Sequence, residues 1–350
     1  MNTQRYYNLQ VLRIVAAAAI VVLHVGSISR VYFRTCPELL EFVNPHFLGK
    51  GVTLFFCISG FVIMHSLQTA SPQRFLAARL LRIYPAFWMA LAVALALRCA
   101  CGAMEFQFDA RLLRCLSLLP IAGFDEYVLG VEWTLVYEVF FYVTAALLAL
   151  IGGPRFLLFA GSAWLVACLV RVLYWPNRSL DPCPGFREIW FSGQNIPMLL
   201  GLLLYQFRDC GRHLRPFAPA LIGVCLMFPF TGIVIGPKNF LIDSVGFALV
   251  VWFAATSRSN NADSILVRCG DCSYGVYLVH TTVIAVAYHL ALSRMSPPPH
   301  AFIYFVGLLA LYVGLLFGAA EMKLYRWLTA RLLAKRAPVV PINSPSARAA

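Results

Sequence analysis

The sequence predicts an all-α, polytopic membrane protein with about ten transmembrane helices and both termini in the cytoplasm. Three properties lead there. Of 350 residues, 61% are hydrophobic and only 12% are charged, against about 25% charged in soluble domains. Mean hydropathy is +0.76, which over so long a chain requires apolar runs of about 20 residues, each able to cross a bilayer. Lys and Arg total 28 against 15 Asp and Glu. In a membrane protein that excess marks cytoplasmic loops rather than a nucleic-acid partner. The eleven cysteines are an odd number and lie mostly inside apolar runs, so no disulfide framework is implied.

Continuous apolar stretches define the spans in order: Leu9 to Ser29, Leu48 to Leu67, Ile83 to Cys101, Trp133 to Ile151, Phe156 to Trp175, Ile189 to Phe207, Pro216 to Ile235, Phe240 to Thr256, Tyr274 to Leu292 and Ala301 to Ala320. The first lacks a small-residue cleavage site at its outer end and carries Arg13 and His24, so it reads as a retained helix and not a signal peptide. With the amino terminus inside, 17 of the 28 basic residues fall on the cytoplasmic side. The stretch Leu112 to Phe124 is apolar except for Arg114; a crossing there would leave 10 inside and 18 outside, and the positive-inside rule rejects it. Residues from about Gly102 to Glu132 then form the longest outer loop, whose Glu105, Asp109, Asp125, Glu126 and Glu132 suit a neutral polar substrate. Residues 1–336 read as one membrane domain without internal repeats. Residues 337–350, with three prolines and no apolar face, read as a disordered cytoplasmic tail.

An ionisable side chain at membrane depth costs at least a few kcal/mol, so each is a functional candidate. Arg13 and His24 are 11 residues apart on the first span, which leaves them about 20° apart in azimuth and about 16 Å apart along the axis. That geometry suits a long anionic ligand entering from the cytoplasm, its charge at Arg13 and its reactive end at His24. For Arg13 alone, snorkelling to the surface is an equal alternative. Glu138 lies about one and a half turns inside the outer end of its span, and His24 at a similar distance within its own. A histidine and a carboxylate at matching depth could hold one imidazole tautomer and stabilise its protonated form; the alternative for Glu138 is a carboxylate paired with a backbone or tyrosine partner. Arg79 and Arg82, at i and i+3 near a cytoplasmic mouth with Arg74, can converge on one phosphate. Spacing alone favours ordinary positive-inside charge for them.

Five motifs then combine: Arg13 with His24 after ten residues, Gly51 to Phe61, Arg79 to Pro85, Trp133 to Tyr142, and Ser273 to His280. Together, in this order over about residues 10 to 320, they resemble the acyltransferase-3 family, integral membrane O-acyltransferases that modify bacterial surface glycans and some secreted glycosides or antibiotics. The resemblance implies a ten-helix, multi-pass protein of the cytoplasmic (inner) membrane, passing an acyl group, commonly acetyl from acetyl-CoA, to a sugar hydroxyl. It makes His24 the essential histidine, Arg13 its motif partner, and Arg79 with Arg82 the acyl-CoA-binding pair. Cys57 stands where an aliphatic residue is common and Thr134 where serine is frequent. The extra hydrolase-like domain of longer members is not expected here.

The chemistry agrees. A sugar hydroxyl is a poor nucleophile, and its attack on a thioester needs a base, for which histidine is poised. His24 serves as that base or as a transient acyl acceptor. Ser273 and Tyr277, at the cytoplasmic start of a span, either contact the donor or act as helix cap and interface anchor. His280 reads as a satisfied bundle histidine more readily than as a residue of the cavity. Cys269-Gly270-Asp271-Cys272 lacks the second pair that a tetrahedral metal site needs, so no metal is expected. The expected partners are acyl-CoA, a glycan or glycoside acceptor and the lipid bilayer. The competing class is a secondary transporter or flippase using His24 and Glu138 as a proton-coupled site, but the paired halves typical of transporters are absent.

Overall fold

The computed structural model describes residues 6–46, 50–105, 107–121, 127–176, 179–209, 215–227, 237–258, 261–292, 294–295 and 298–333. Among them there are helices and no strands. In chain order these are α1 (Tyr7–Phe33), α2 (Glu38–His46), α3 (Gly51–Thr69), α4 (Pro72–Ala100), α5 (Ala110–Ser117), α6 (Glu132–Tyr174), α7 (Asn195–Leu204), α8 (Ala218–Met227), α9 (Pro237–Thr256), α10 (Ile265–Asp271), α11 (Ser273–Leu292) and α12 (His300–Leu332). Seven of them, α1, α3, α4, α6, α9, α11 and α12, are long and apolar enough to cross a membrane. The expected tail, 337–350, lies outside the described residues.

Each expected span overlaps a helix among the described residues, although 228–235 of Pro216 to Ile235 lie outside them, and the departures have local causes. The 43 residues of α6 hold two expected spans, because the backbone breaks at Gly152 and at Gly153, whose φ of 72° favours glycine, before Pro154 starts the second half. α4 begins eleven residues before its expected span, where Ser71 accepts the Arg74 N–H and Pro72 occupies the first turn. α12 continues to Leu332, well past Ala320, since Glu321 to Leu332 contains neither Gly nor Pro. α7 is only 10 residues long, and buried Asn195 ties its start to the Ile189 carbonyl at 2.6 Å. Close helix contacts rest on glycines: a Cβ on Gly275 of α11 would strike the backbone of Gly318 in α12.

The rejected crossing overlaps α5, whose 8 residues reach only about 12 Å, and its residues 122–124 lie outside the described ones. Asp109 caps it and Leu118, at φ 51°, ends it. Asp125 and Glu126 of the expected acidic loop lie outside the described residues. Glu132 is not a loop-surface acid, as expected, but fully buried. Its carboxylate accepts the N–H groups of Leu129 at 2.7 Å and Val131 at 2.9 Å and faces the Cys115 thiol. A carboxylate at the start of a helix satisfies donors that would otherwise be orphaned, which is why the chain folds it inward.

That start is recessed. The Leu129 carbonyl receives Thr281 Oγ1 at 2.7 Å and the Val131 carbonyl receives Tyr277 Oη at 3.3 Å, both from the first half of α11. The first turn of α6 therefore lies at mid-depth in the bundle, beside His280, rather than at the outer end.

Candidate functional site: a cationic chamber and a histidine pair

Two polar centres lie along α1. The first is a chamber whose walls include Arg13, Arg79, Arg82, Glu138, Ser273 and Tyr277. Four helices, α1, α4, α6 and α11, supply these six side chains, so the expected residues converge although they are scattered in sequence. Arg13 and Arg79 also line a wider cleft, with Gln10, His65, Arg74 and Tyr325, where α1, α3 and α4 meet. Chamber and cleft thus share the guanidinium groups of Arg13 and Arg79.

The arginines are held differently. Arg79 Nη2 donates to Ser66 Oγ at 3.0 Å, and its guanidinium lies over the faces of Phe75 and Tyr142 at 5.5 and 5.6 Å. Arg82 forms an ion pair with Glu321 of α12, a residue only 1% exposed, and lies over Tyr274 at 5.4 Å and Tyr325 at 5.2 Å. Arg13 Nη1 meets Gln10 Oε1 at 3.5 Å, the limit of a hydrogen bond. The i, i+3 spacing brings Arg79 and Arg82 into one chamber, but Glu321 already neutralises one of them. Sequence reasoning passed over Glu321; the signal was an acid one residue past the last span.

Glu138 belongs to this chamber and does not partner His24. Its carboxylate accepts Ser59 Oγ at 2.7 Å and Tyr142 Oη at 3.3 Å. The reason is the recess of α6. Counting one and a half turns from a helix start already beside His280 carries Glu138 about 9 Å further toward the Arg13 end. The expected match of depth assumed that the two helices end level, and they do not.

The partner of His24 is His280. His24 Nδ1 lies 2.9 Å from His280 Nε2, and the ring centroids are 5.0 Å apart. His280 is fully buried, while His24 is half-buried. Tyr277 bridges the two centres: it lines the chamber, shares a 2.6 Å hydrogen bond with Thr134, and its ring lies 5.9 Å from that of His280. Its burial and this bond exclude the reading of Tyr277 as an interface anchor. Ser273 is buried at the first turn of α11 and lines the same chamber. The described residues contain no cluster of His, Cys, Asp and Glu able to hold a metal ion.

Fold and site define a class, a multi-pass helical membrane protein with a cationic chamber and a histidine pair deep in the bundle. A family model described as an acyltransferase domain matches residues 6–318. The chain belongs to this acyltransferase-3 family and is an enzyme that transfers acyl groups. It is 29% identical over 324 residues to the exopolysaccharide production protein ExoZ of Rhizobium meliloti (strain 1021), covering 85% of this chain and 95% of that protein. It is 26% identical over 270 residues to nodulation protein 10 of Rhizobium leguminosarum bv. viciae, covering 68% and 72% respectively. No solved structure matches the chain.

Proposed function

We propose that this enzyme moves an acyl group, acetyl in the simplest case, from a cytoplasmic acyl-CoA to a hydroxyl of an exported or surface polysaccharide. It does so in the cytoplasmic membrane, with ten crossings and both termini inside. The observation that carries the reading is the arrangement along α1. Arg13 opens both onto the cleft and into the chamber, and His24 lies about 16 Å further along the same unbroken helix face. The phosphates of a CoA donor would meet Arg13, Arg79 and Arg74, while Ser273 and Tyr277 line the path of its acyl arm. The polysaccharide acceptor is supported by the likeness to ExoZ, an exopolysaccharide production protein whose length the chain covers almost entirely.

In the transfer, the acceptor hydroxyl loses its proton to His24 as its oxygen bonds to the thioester carbonyl carbon. The C–S bond breaks and the thiolate leaves with that proton. His24 can equally take the acyl group itself before passing it on. Glu138, bonded to Ser59 and Tyr142, offsets the positive charge of the chamber wall.

The experiment is release of free CoA thiol and transfer of labelled acetyl by purified protein in detergent, where no gradient exists to drive a transporter. Transfer to an extracted polysaccharide supports the reading, and absence of any acyl-CoA turnover refutes it. A reporter fused after Phe124 should respond outside and one after Arg215 inside; the opposite result would invert the later helices relative to Arg79.

A further inference from the structure

The second histidine has no part in the reaction as written above. Two neutral imidazoles can share one hydrogen bond in either direction, and the direction decides which nitrogen of His24 is left to react. The surroundings of His280 decide it. Its Nδ1 lies 2.8 Å from the Tyr277 carbonyl oxygen and 3.1 Å from that of Val276. Carbonyl oxygens only accept, so His280 Nδ1 carries a proton, and in the neutral ring Nε2 is a lone pair. The proton between the rings therefore belongs to His24 Nδ1. His24 Nε2 is left unprotonated.

We propose that His280 is the positioning residue that holds His24 in its Nδ1–H tautomer, so that Nε2 is the nitrogen that takes the proton of the acceptor hydroxyl. The proposal rests on His24 acting as the base. Nε2 receives the hydroxyl proton as the acceptor oxygen bonds to the acyl carbon, and returns it to the sulfur as the C–S bond breaks, so the ring ends as it began. While Nε2 is protonated, the Nδ1–H bond to His280 becomes charge-assisted. A carboxylate does this work in serine hydrolase triads. A neutral imidazole does it without a second buried charge.

The pair is held by more than its own bond. Tyr288 of α11 donates to the Val25 carbonyl, one residue past His24, at 3.1 Å. At the other end a Cβ on Gly270 would strike the Gln10 backbone, so α10 and α11 meet α1 closely both above and below the pair. The Ile20 carbonyl, one turn below His24, is another acceptor near its ring, and the experiment separates its effect from that of His280.

The experiment is nitrogen-15 NMR of ring-labelled histidine in the full-length protein in nanodiscs, with the His24 signals assigned by their loss in His24→Ala. The wild type should show His24 as Nδ1–H with Nε2 bare. In His280→Leu that preference should vanish and kcat should fall about 100-fold, the scale of general-base catalysis, with half-saturation for acyl-CoA unchanged. In His280→Gln, whose amide oxygen can accept the Nδ1–H, both the tautomer and most of kcat should return. A wild-type His24 protonated at Nε2 overturns the proposal. So does an unchanged Nδ1–H signal in His280→Leu, which would assign the tautomer to the Ile20 carbonyl. Equal loss of kcat in the Leu and Gln variants with the tautomer intact would make His280 a packing residue only. If His280→Leu fails to insert, the wild-type and His280→Gln spectra still decide. Failure of the base reading looks different: His24→Ala would keep its turnover whatever the tautomer.

Discussion

The chamber and the histidine pair share α1, yet they are built on opposite terms. The chamber gathers three guanidinium groups against one carboxylate, Glu138, with Glu321 held against Arg82, and it opens to a cleft. The histidine pair is formally neutral, bonded to backbone carbonyls, and sealed on its His280 side. Charge at membrane depth is tolerated where a cavity and counter-charges accept it, and the histidine pair in its neutral form avoids that cost. In the proposed function, binding of an anion and transfer of a proton are separated by about 16 Å of helix.

The sharpest break of this division is His24→Ala. Turnover should fall at least about 100-fold while acyl-CoA binding, read by isothermal titration, stays intact. Loss of binding in a properly inserted variant would mean that the two regions are one site.

Arg82→Ala should act on stability before function. Removing it leaves Glu321 buried without its partner, a change that costs about 3 kcal/mol or more in buried pairs, read as a lowered Tm in detergent. Arg82→Met combined with Glu321→Leu should recover the Tm, since replacing both partners by apolar groups is close to neutral. Failure of the double variant to recover would show that the pair has further partners.

Arg79→Ala is milder and purely functional in expectation. Ser66 is a neutral partner half-open to the cleft, so stability should hold while the half-saturation for acyl-CoA rises about tenfold, the worth of one charge-assisted hydrogen bond. A rise for the acceptor instead would reverse the assignment of the chamber.

The smallest effect is expected at Glu138→Gln. An amide oxygen still accepts from Ser59, and the carboxylate does not face the imidazole pair, so turnover should change by only a few fold and mainly through donor half-saturation. A fall matching that of His24→Ala would restore the carboxylate to the histidine.

Much of this site was legible in the sequence because charge inside a span is rare and costly. Arg13, His24 and Glu138 stand out against apolar runs without any structure, while Arg79 and Arg82 are marked only by the family resemblance; all but His24 line the chamber. Pairing was not legible. Glu138 reads as a neighbour of His24 when helix ends are taken as level, and the bundle recesses α6 by folding Leu129 to Val131 against Tyr277 and Thr281. Glu132 reads as a loop acid and is the buried tie that makes this recess possible.

The sequence by itself determined that the chain is a multi-pass helical membrane protein, roughly where its spans run, that one span ends near Ile151 and the next begins near Phe156, and that Arg13 and His24 share one face. Each follows from composition or from distances of a few turns, which the helix repeat converts directly into space. Only the tertiary structure decided which groups meet: Glu138 with Ser59 and Tyr142, Arg82 with Glu321, His24 with His280. The reason is that helices slide past one another along their axes, and their relative depth is set by close contacts such as Gly270 against Gln10 and Gly51 against Ala16 and Ile20. An axial slip of one turn, about 5.4 Å, leaves the hydrophobic pattern intact and exchanges every polar partner.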